Sequence, residues 1–263
     1  MRFTFQYFHL PQSIKDVPPS LKSMLLALFL YTIGWGFINA VFSVYVNQLV
    51  GSYSAYGIII GVMYLACLVS ALVAGSLADV VDKRKLVGWS MLAYPALAAL
   101  YFFGYAIGFL GLAFTRVAHG VFSASVWVGA EAEINSSGGK KDSPKYFGLF
   151  TFTEYLAALV GALLLAILVW VSVINLTNLN WVFAVVAVTS LLAGLWLKAQ
   201  GDASPSHIRS QLRSVLSKSA IKAEAKDILS FDKHMWATLV FAFLTAMILE
   251  SLAAFVPLFA LQL

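Results

Sequence analysis

Residues 54–106 read SAYGIIIGVMYLACLVSALVAGSLADVVDKRKLVGWSMLAYPALAALYFFGYA. Two long apolar runs, 54–78 and 86–106, flank a short segment in which five of the seven residues are charged: Asp79, Asp82, Lys83, Arg84 and Lys85. An apolar helix of about 20 residues crosses a hydrocarbon core about 30 Å thick. Inside lipid each segment must satisfy its own backbone hydrogen bonds, so the two runs predict a hairpin of membrane-spanning helices. The alternating strands of a membrane barrel are absent from them.

Working outward, further runs of spanning length lie at 21–47, 107–131, 146–171, 180–198 and 234–261. The expected fold is therefore an all-α polytopic membrane bundle of about seven transmembrane helices. Composition agrees: 61% of the 263 residues are hydrophobic and 11% charged, against about a quarter charged in an average soluble domain. Small residues, among them Ala71, Ala74, Gly75, Ala157, Ala158 and Gly161, mark faces where helices approach closely. The net charge of +5 gathers on no soluble domain, so no nucleic-acid partner is expected. Cys67 is the single cysteine, which leaves no disulfide framework. Residues 1–20 lack the short apolar core and cleavage site of a signal peptide.

The connections are of two kinds. Residues 47–55, 105–108 and 174–180 hold no charge. The alternate set holds Arg2, Lys15 and Lys22, then 79–85, then Lys140, Lys141, Asp142 and Lys145, then the segment from Lys198 to Lys233. Every lysine, and every arginine except Arg116, falls in that second set. The positive-inside rule places it, with the N-terminus, in the cytoplasm of a plasma or inner membrane. The expected domains are a cytoplasmic tail (1–20), a six-helix lobe (21–198), a basic cytoplasmic linker (199–233) and a seventh helix (234–263). Within the linker Ile208, Leu212, Val215 and Leu216 recur at roughly helical spacing among Arg209, Arg213, Lys218 and Lys222. An amphipathic helix on anionic lipid and a solvated linker both account for that pattern. Asn175-Leu176-Thr177 is an outward-facing sequon on this topology, while Asn135-Ser136-Ser137 faces inward.

At an offset of 214 residues the last span falls on the first: Leu25, Phe29 and Leu30 on Leu239, Phe243 and Leu244, and Gln48-Leu49 on Gln262-Leu263. The loop Gly75-Ser76-Leu77-Ala78-Asp79-Val80-Val81-Asp82-Lys83-Arg84-Lys85 closely resembles the signature loop of the major facilitator superfamily. Arg116-Val117-Ala118-His119-Gly120 is similar to that family's Arg-x-x-Gln-Gly element. Val80, Asp82 and His119 depart from the usual arginine, glycine and glutamine, and Tyr155–Ala166 lacks the glycine-proline antiporter element. The resemblance implies a secondary transporter that moves a small solute by alternating access, with two six-helix lobes around a midplane site. It also implies a conformational latch, for which Gly75, Asp79, Lys83, Arg84, Glu131 and Glu133 are the candidates; ordinary topology-setting charge is the competing account. This chain matches one lobe, the linker and a seventh helix. It is therefore expected to be an incomplete transporter, or one that works with a second chain supplying the remaining helices. A non-transporting fragment or accessory subunit is the alternative.

Charged groups inside spans are costly and usually functional. With a rise of about 1.5 Å per residue, Glu250 lies about 21 Å from the inner side and Arg116 about 18 Å. The resemblance implies a central cavity lined by helices one, four and seven; facing one another across it, Arg116 and Glu250 would bind a polar solute or a proton. Glu154 is a second protonatable candidate, and Asn39 adds a neutral hydrogen-bonding group. A buried Arg116–Glu154 ion pair is the structural alternative. A seven-span receptor would place its N-terminus outside, and a retinal protein needs a lysine that residues 234–263 do not contain. No phosphate loop, zinc-ligand spacing or protease motif is present. Neither an enzyme nor a cofactor is expected; the partners expected are lipid, a small solute and, as a candidate, a proton.

Overall fold

The computed structural model describes residues 17–175, 177–199, 230, 232–238 and 240–241. Five α-helices follow in order: α1 (Pro19–Val50), α2 (Tyr53–Val80), α3 (Lys83–Phe102), α4 (Gly104–Trp170) and α5 (Val182–Lys198), the last entered through a 3-10 turn at Leu179–Trp181. No strand occurs among the described residues.

α4 is helical for 67 residues, about 100 Å if straight, yet it doubles back. The Ser143 hydroxyl donates to Asn135 Oδ1 at 2.9 Å, although eight residues advance about 12 Å along a straight helix. A Cβ on Gly138 would lie 2.7 Å from the amide nitrogen of Ser143. α4 is therefore two antiparallel arms, Gly104–Gly138 and Asp142–Trp170, each long and apolar enough to cross a membrane. α1, α2 and the final helix also supply such spans. α3 is less apolar because Lys83, Arg84 and Lys85 open it, but its 20 residues reach about 30 Å and run from one end of the bundle to the other. Six rods thus stand side by side.

The first arm extends past the expected end at 131 because Ala130 and Ile134 are fully buried. Span three ends at Phe102 rather than 106, where the amides of Ala106 and Ile107 fold back on the Phe103 carbonyl. Gly51, at φ 69°, caps α1 in the left-handed conformation that glycine adopts without strain.

α1 is the centre of the lobe. It packs mainly on α4 and α5, while α2 leans on α4, and α3 on α4 and α5. Where α1 crosses the second arm, a Cβ on Gly36 would meet the Ala158 carbonyl oxygen, and one on Gly161 would meet that of Ile33. Only glycine lets two backbones come this near. The small-residue pattern at Ala158 and Gly161 is therefore a helix contact.

The two ends of the bundle differ chemically. At one end Tyr45 donates to the Tyr101 carbonyl at 2.6 Å, the rings of Tyr45 and Tyr101 pack on Phe42 and Phe183, and Tyr105 meets Tyr45 edge-on. That end carries the uncharged connections. The other carries Lys83, Arg84, Lys85 and Lys198, with the Lys198 ammonium 4.5 Å from the centre of the Trp89 ring. Exposed tryptophans mark both levels, Trp170 and Trp181 at the uncharged end and Trp89 and Trp196 at the charged one. Trp181 and Trp196 are about 22 Å apart along α5, a spacing that suits two interfacial belts.

Most of the expected linker and most of the seventh span lie outside the described residues. A short helical segment starts at Lys233, its first turn capped by Asp232 Oδ1, which accepts from the Met235 amide at 2.8 Å.

Candidate functional site

Arg116 enters the first arm of α4 about 18 Å from Gly104 and is 1% exposed. Its guanidinium lies 3.6 Å from the centre of the Phe42 ring on α1 and 5.3 Å from that of Tyr101 on α3. Nη1 donates to the Met63 sulfur on α2 at 3.2 Å. Nε has no partner. The two aromatic faces offer a cation roughly 0.5–2 kcal/mol each, and sulfur is a weak acceptor. Removing an unpaired charge from water costs several kcal/mol. Among the described residues no carboxylate pairs with Arg116.

His119 is one turn further along α4 and fully buried. Its Nδ1 lies 3.2 Å from the Tyr101 hydroxyl, the Tyr94 hydroxyl donates to its carbonyl at 3.4 Å, and the Trp35 ring meets it edge-on with centroids 4.5 Å apart. Its Nε2 also lacks a partner.

The other in-span candidates stand elsewhere. Asn39 is exposed on α1, one turn from Phe42. Glu154 is half-buried on the second arm, one turn from the crossing of Ala158 with Gly36. Measured from that crossing, Arg116 lies at the level of Phe42, about 9 Å toward the uncharged end, and Glu154 about 6 Å toward the charged end. A separation of about 15 Å along the bundle leaves no Arg116–Glu154 ion pair. Glu154 instead lies within electrostatic reach of Glu131 on the first arm. Glu250 lies outside the described residues.

Of the loop candidates, Gly75 is half-buried near the end of α2, Asp79 is exposed in its last turn, and Glu131 and Glu133 sit near the end of the first arm. That arm packs on the start of α3: a Cβ on Gly129 would lie 2.7 Å from Val87 and 3.7 Å from the Lys83 carbonyl. Lys83 and Glu131 therefore share one end of the bundle. Asp82 caps α3 by accepting from the Lys85 amide at 3.2 Å and lies 3.7 Å from Arg84. Lys145 and Asp142 form a second ion pair at 2.8 Å. The placement runs against the helix dipoles: Asp79 stands at the negative end of α2, and Lys83, Arg84 and Lys85 at the positive end of α3.

Sequence reasoning named Arg116 but missed its nest. Phe42, Met63 and Tyr101 look like ordinary span residues, and they meet Arg116 only through the fold. The Asp82 cap was readable as an Asp placed just before a helix start. Among the described residues no cluster of His, Cys, Asp and Glu could hold a metal. An open hollow lined by Leu168, Ile174 and Trp181 carries no charge to orient a solute.

A family model described as Major Facilitator Superfamily matches residues 24–263 of the chain. No curated protein matches it.

Proposed function

Since this chain belongs to the Major Facilitator Superfamily, a family of membrane transporters, we propose that it moves a small solute across the bilayer by alternating access, with Arg116 as its main polar anchor. One observation carries this reading: a guanidinium buried in mid-span that no carboxylate among the described residues neutralises. A charge so placed is expensive, and a polar ligand compensates it. Glu250, at a similar depth by its count along span seven, is the facing group from the later part of the chain. Asn39 and Glu154, not sealed inside the lobe, complete the polar set, with Glu154 or Glu250 as carrier of any coupled proton. The energy source is then an ion gradient or the solute's own gradient. The basic end and the N-terminus face the cytoplasm.

The loop 75–85 acts in this reading as a latch. Charges that oppose their own helix dipoles gain by engaging a partner of the right sign. Asp79, Lys83, Arg84, Glu131 and Glu133, gathered at one end, engage such a partner in one conformation and release it in the other.

A solute screen in proteoliposomes tests the proposal. Arg116→Ala and Glu250→Gln should each cut uptake of the transported solute by about tenfold or more, the factor expected when a charge-assisted hydrogen bond is lost. Wild-type uptake in both variants ends the assignment.

A further inference from the structure

We propose that Arg116 and His119 together form a receptor for a small monovalent anion inside the six-helix lobe. The inference deepens the reading of Arg116 as a ligand-binding residue and rests on it.

Two unsatisfied nitrogens carry it. Arg116 and His119 are three residues apart and so share a face of α4. Each is buried, and each keeps one ring or guanidinium nitrogen without a partner, Nε of Arg116 and Nε2 of His119. In the tautomer that such a receptor requires, the Tyr101 hydroxyl, 3.2 Å away, donates to His119 Nδ1 and the ring proton sits on Nε2. Arg116 Nε always carries its proton. The face thus presents two N–H donors and a full positive charge, and among the described residues it has no acceptor other than the Met63 sulfur. An ordered water would satisfy hydrogen bonds there but would leave the charge uncompensated. An anion supplies both.

The surrounding side chains limit its size and charge. Phe42, Tyr101, Tyr94 and Trp35 close on the pair, and among the described residues no second cation is buried beside them for a divalent oxyanion. Both a free halide and the carboxylate of a solute meet these demands, as one negative charge that can accept from both N–H groups.

Trp35 offers a direct readout because its ring touches His119. The full chain in nanodiscs is titrated with bromide, and separately with acetate, against gluconate at constant ionic strength, following tryptophan fluorescence and melting temperature. A saturable fluorescence change, absent from Trp35→Phe, and a rising melting temperature are expected. Arg116→Gln should weaken the response about tenfold or more, and His119→Gln, close to histidine in volume, by several-fold. A response to both ions supports a carboxylate-sized site, and a response to bromide alone supports a halide site. Quenching that never saturates and is equal in wild type and variants overturns the proposal. So does a silent wild type whose Glu250→Gln variant responds, because the chain's own carboxylate then occupies the place. Uptake is measured on the same samples. A wild type that transports in an Arg116-dependent way without binding either ion loses the anion site but keeps the transport reading.

Discussion

Arg116 and Glu154 stand on the two arms of one helix, and their surroundings are opposite. Arg116 is sealed among α1, α2 and α3, its charge spread over two rings and a sulfur. Glu154 is half-open, with Glu131 as its electrostatic neighbour. The difference follows from how the arms are covered. α1, which closes one side of the Arg116 nest, is itself the most enclosed span, whereas most of the second arm is exposed or half-buried. A cation is therefore held where the lobe is finished, and a carboxylate where a face is still open to lipid or a partner. The first arrangement fixes geometry; the second leaves a group free to exchange a proton or a contact.

The largest expected effect breaks this contrast at its structural cause. The crossing of Gly36 with Ala158 and Gly161 sets how the second arm rides on α1. A Cβ added at Gly36 meets backbone rather than a flexible side chain, so Gly36→Ala must push the two helices apart. Overpacking of this kind costs about 1–3 kcal/mol, visible as a lower melting temperature in detergent. Gly57→Ala is the control: nothing lies within 4 Å of the added carbon, and the helix should gain about 0.5–1 kcal/mol. Equal melting of the two variants would show that the arms are not held by that crossing.

A smaller change in stability, with a large change in activity, is expected at the sealed site. Arg116→Met keeps an unbranched apolar stem, somewhat shorter than arginine's, and removes the buried charge. Replacing buried ions by apolar groups of similar volume is often neutral or stabilising. In gluconate, with no small anion to bind, Arg116→Met should melt at or above the wild type, by about 1 kcal/mol, while uptake falls about tenfold or more. A variant that unfolds instead would make Arg116 a structural post.

The sequence made much of this legible, for definite reasons. Span order followed from hydropathy, and the separation of charged from uncharged ends followed from the charges on alternate loops, because lysine and arginine cross lipid poorly. Ala158 and Gly161 showed the helix contact because close approach needs small residues. Other features depended on tertiary contacts. The segment 132–138 is polar, with Asn135, Ser136 and Ser137, and reads as a loop; it is helical because Ile134 reaches the core. The aromatic nest was hidden for a related reason. Phe42 is 74 positions from Arg116 and Met63 is 53, and nothing in their local sequence distinguishes them from residues that face lipid. Arg116 stood out because a charge within a span is rare; its company did not.

The smallest expected effect sharpens the comparison from the open side. Glu154→Gln keeps the shape of the side chain and removes a charge that Glu131 repels. Since Glu154 is only half-buried and makes no ion pair among the described residues, the change in stability should stay within about 0.5 kcal/mol. If Glu154 carries a proton during transport, uptake driven by a pH gradient should fall in Glu154→Gln while exchange of solute for solute, which needs no net proton movement, continues. Loss of both modes would place Glu154 with the solute instead. Unchanged uptake in both modes would reduce it to a charge that the open face tolerates, leaving Arg116 as the functional in-span charge on α4.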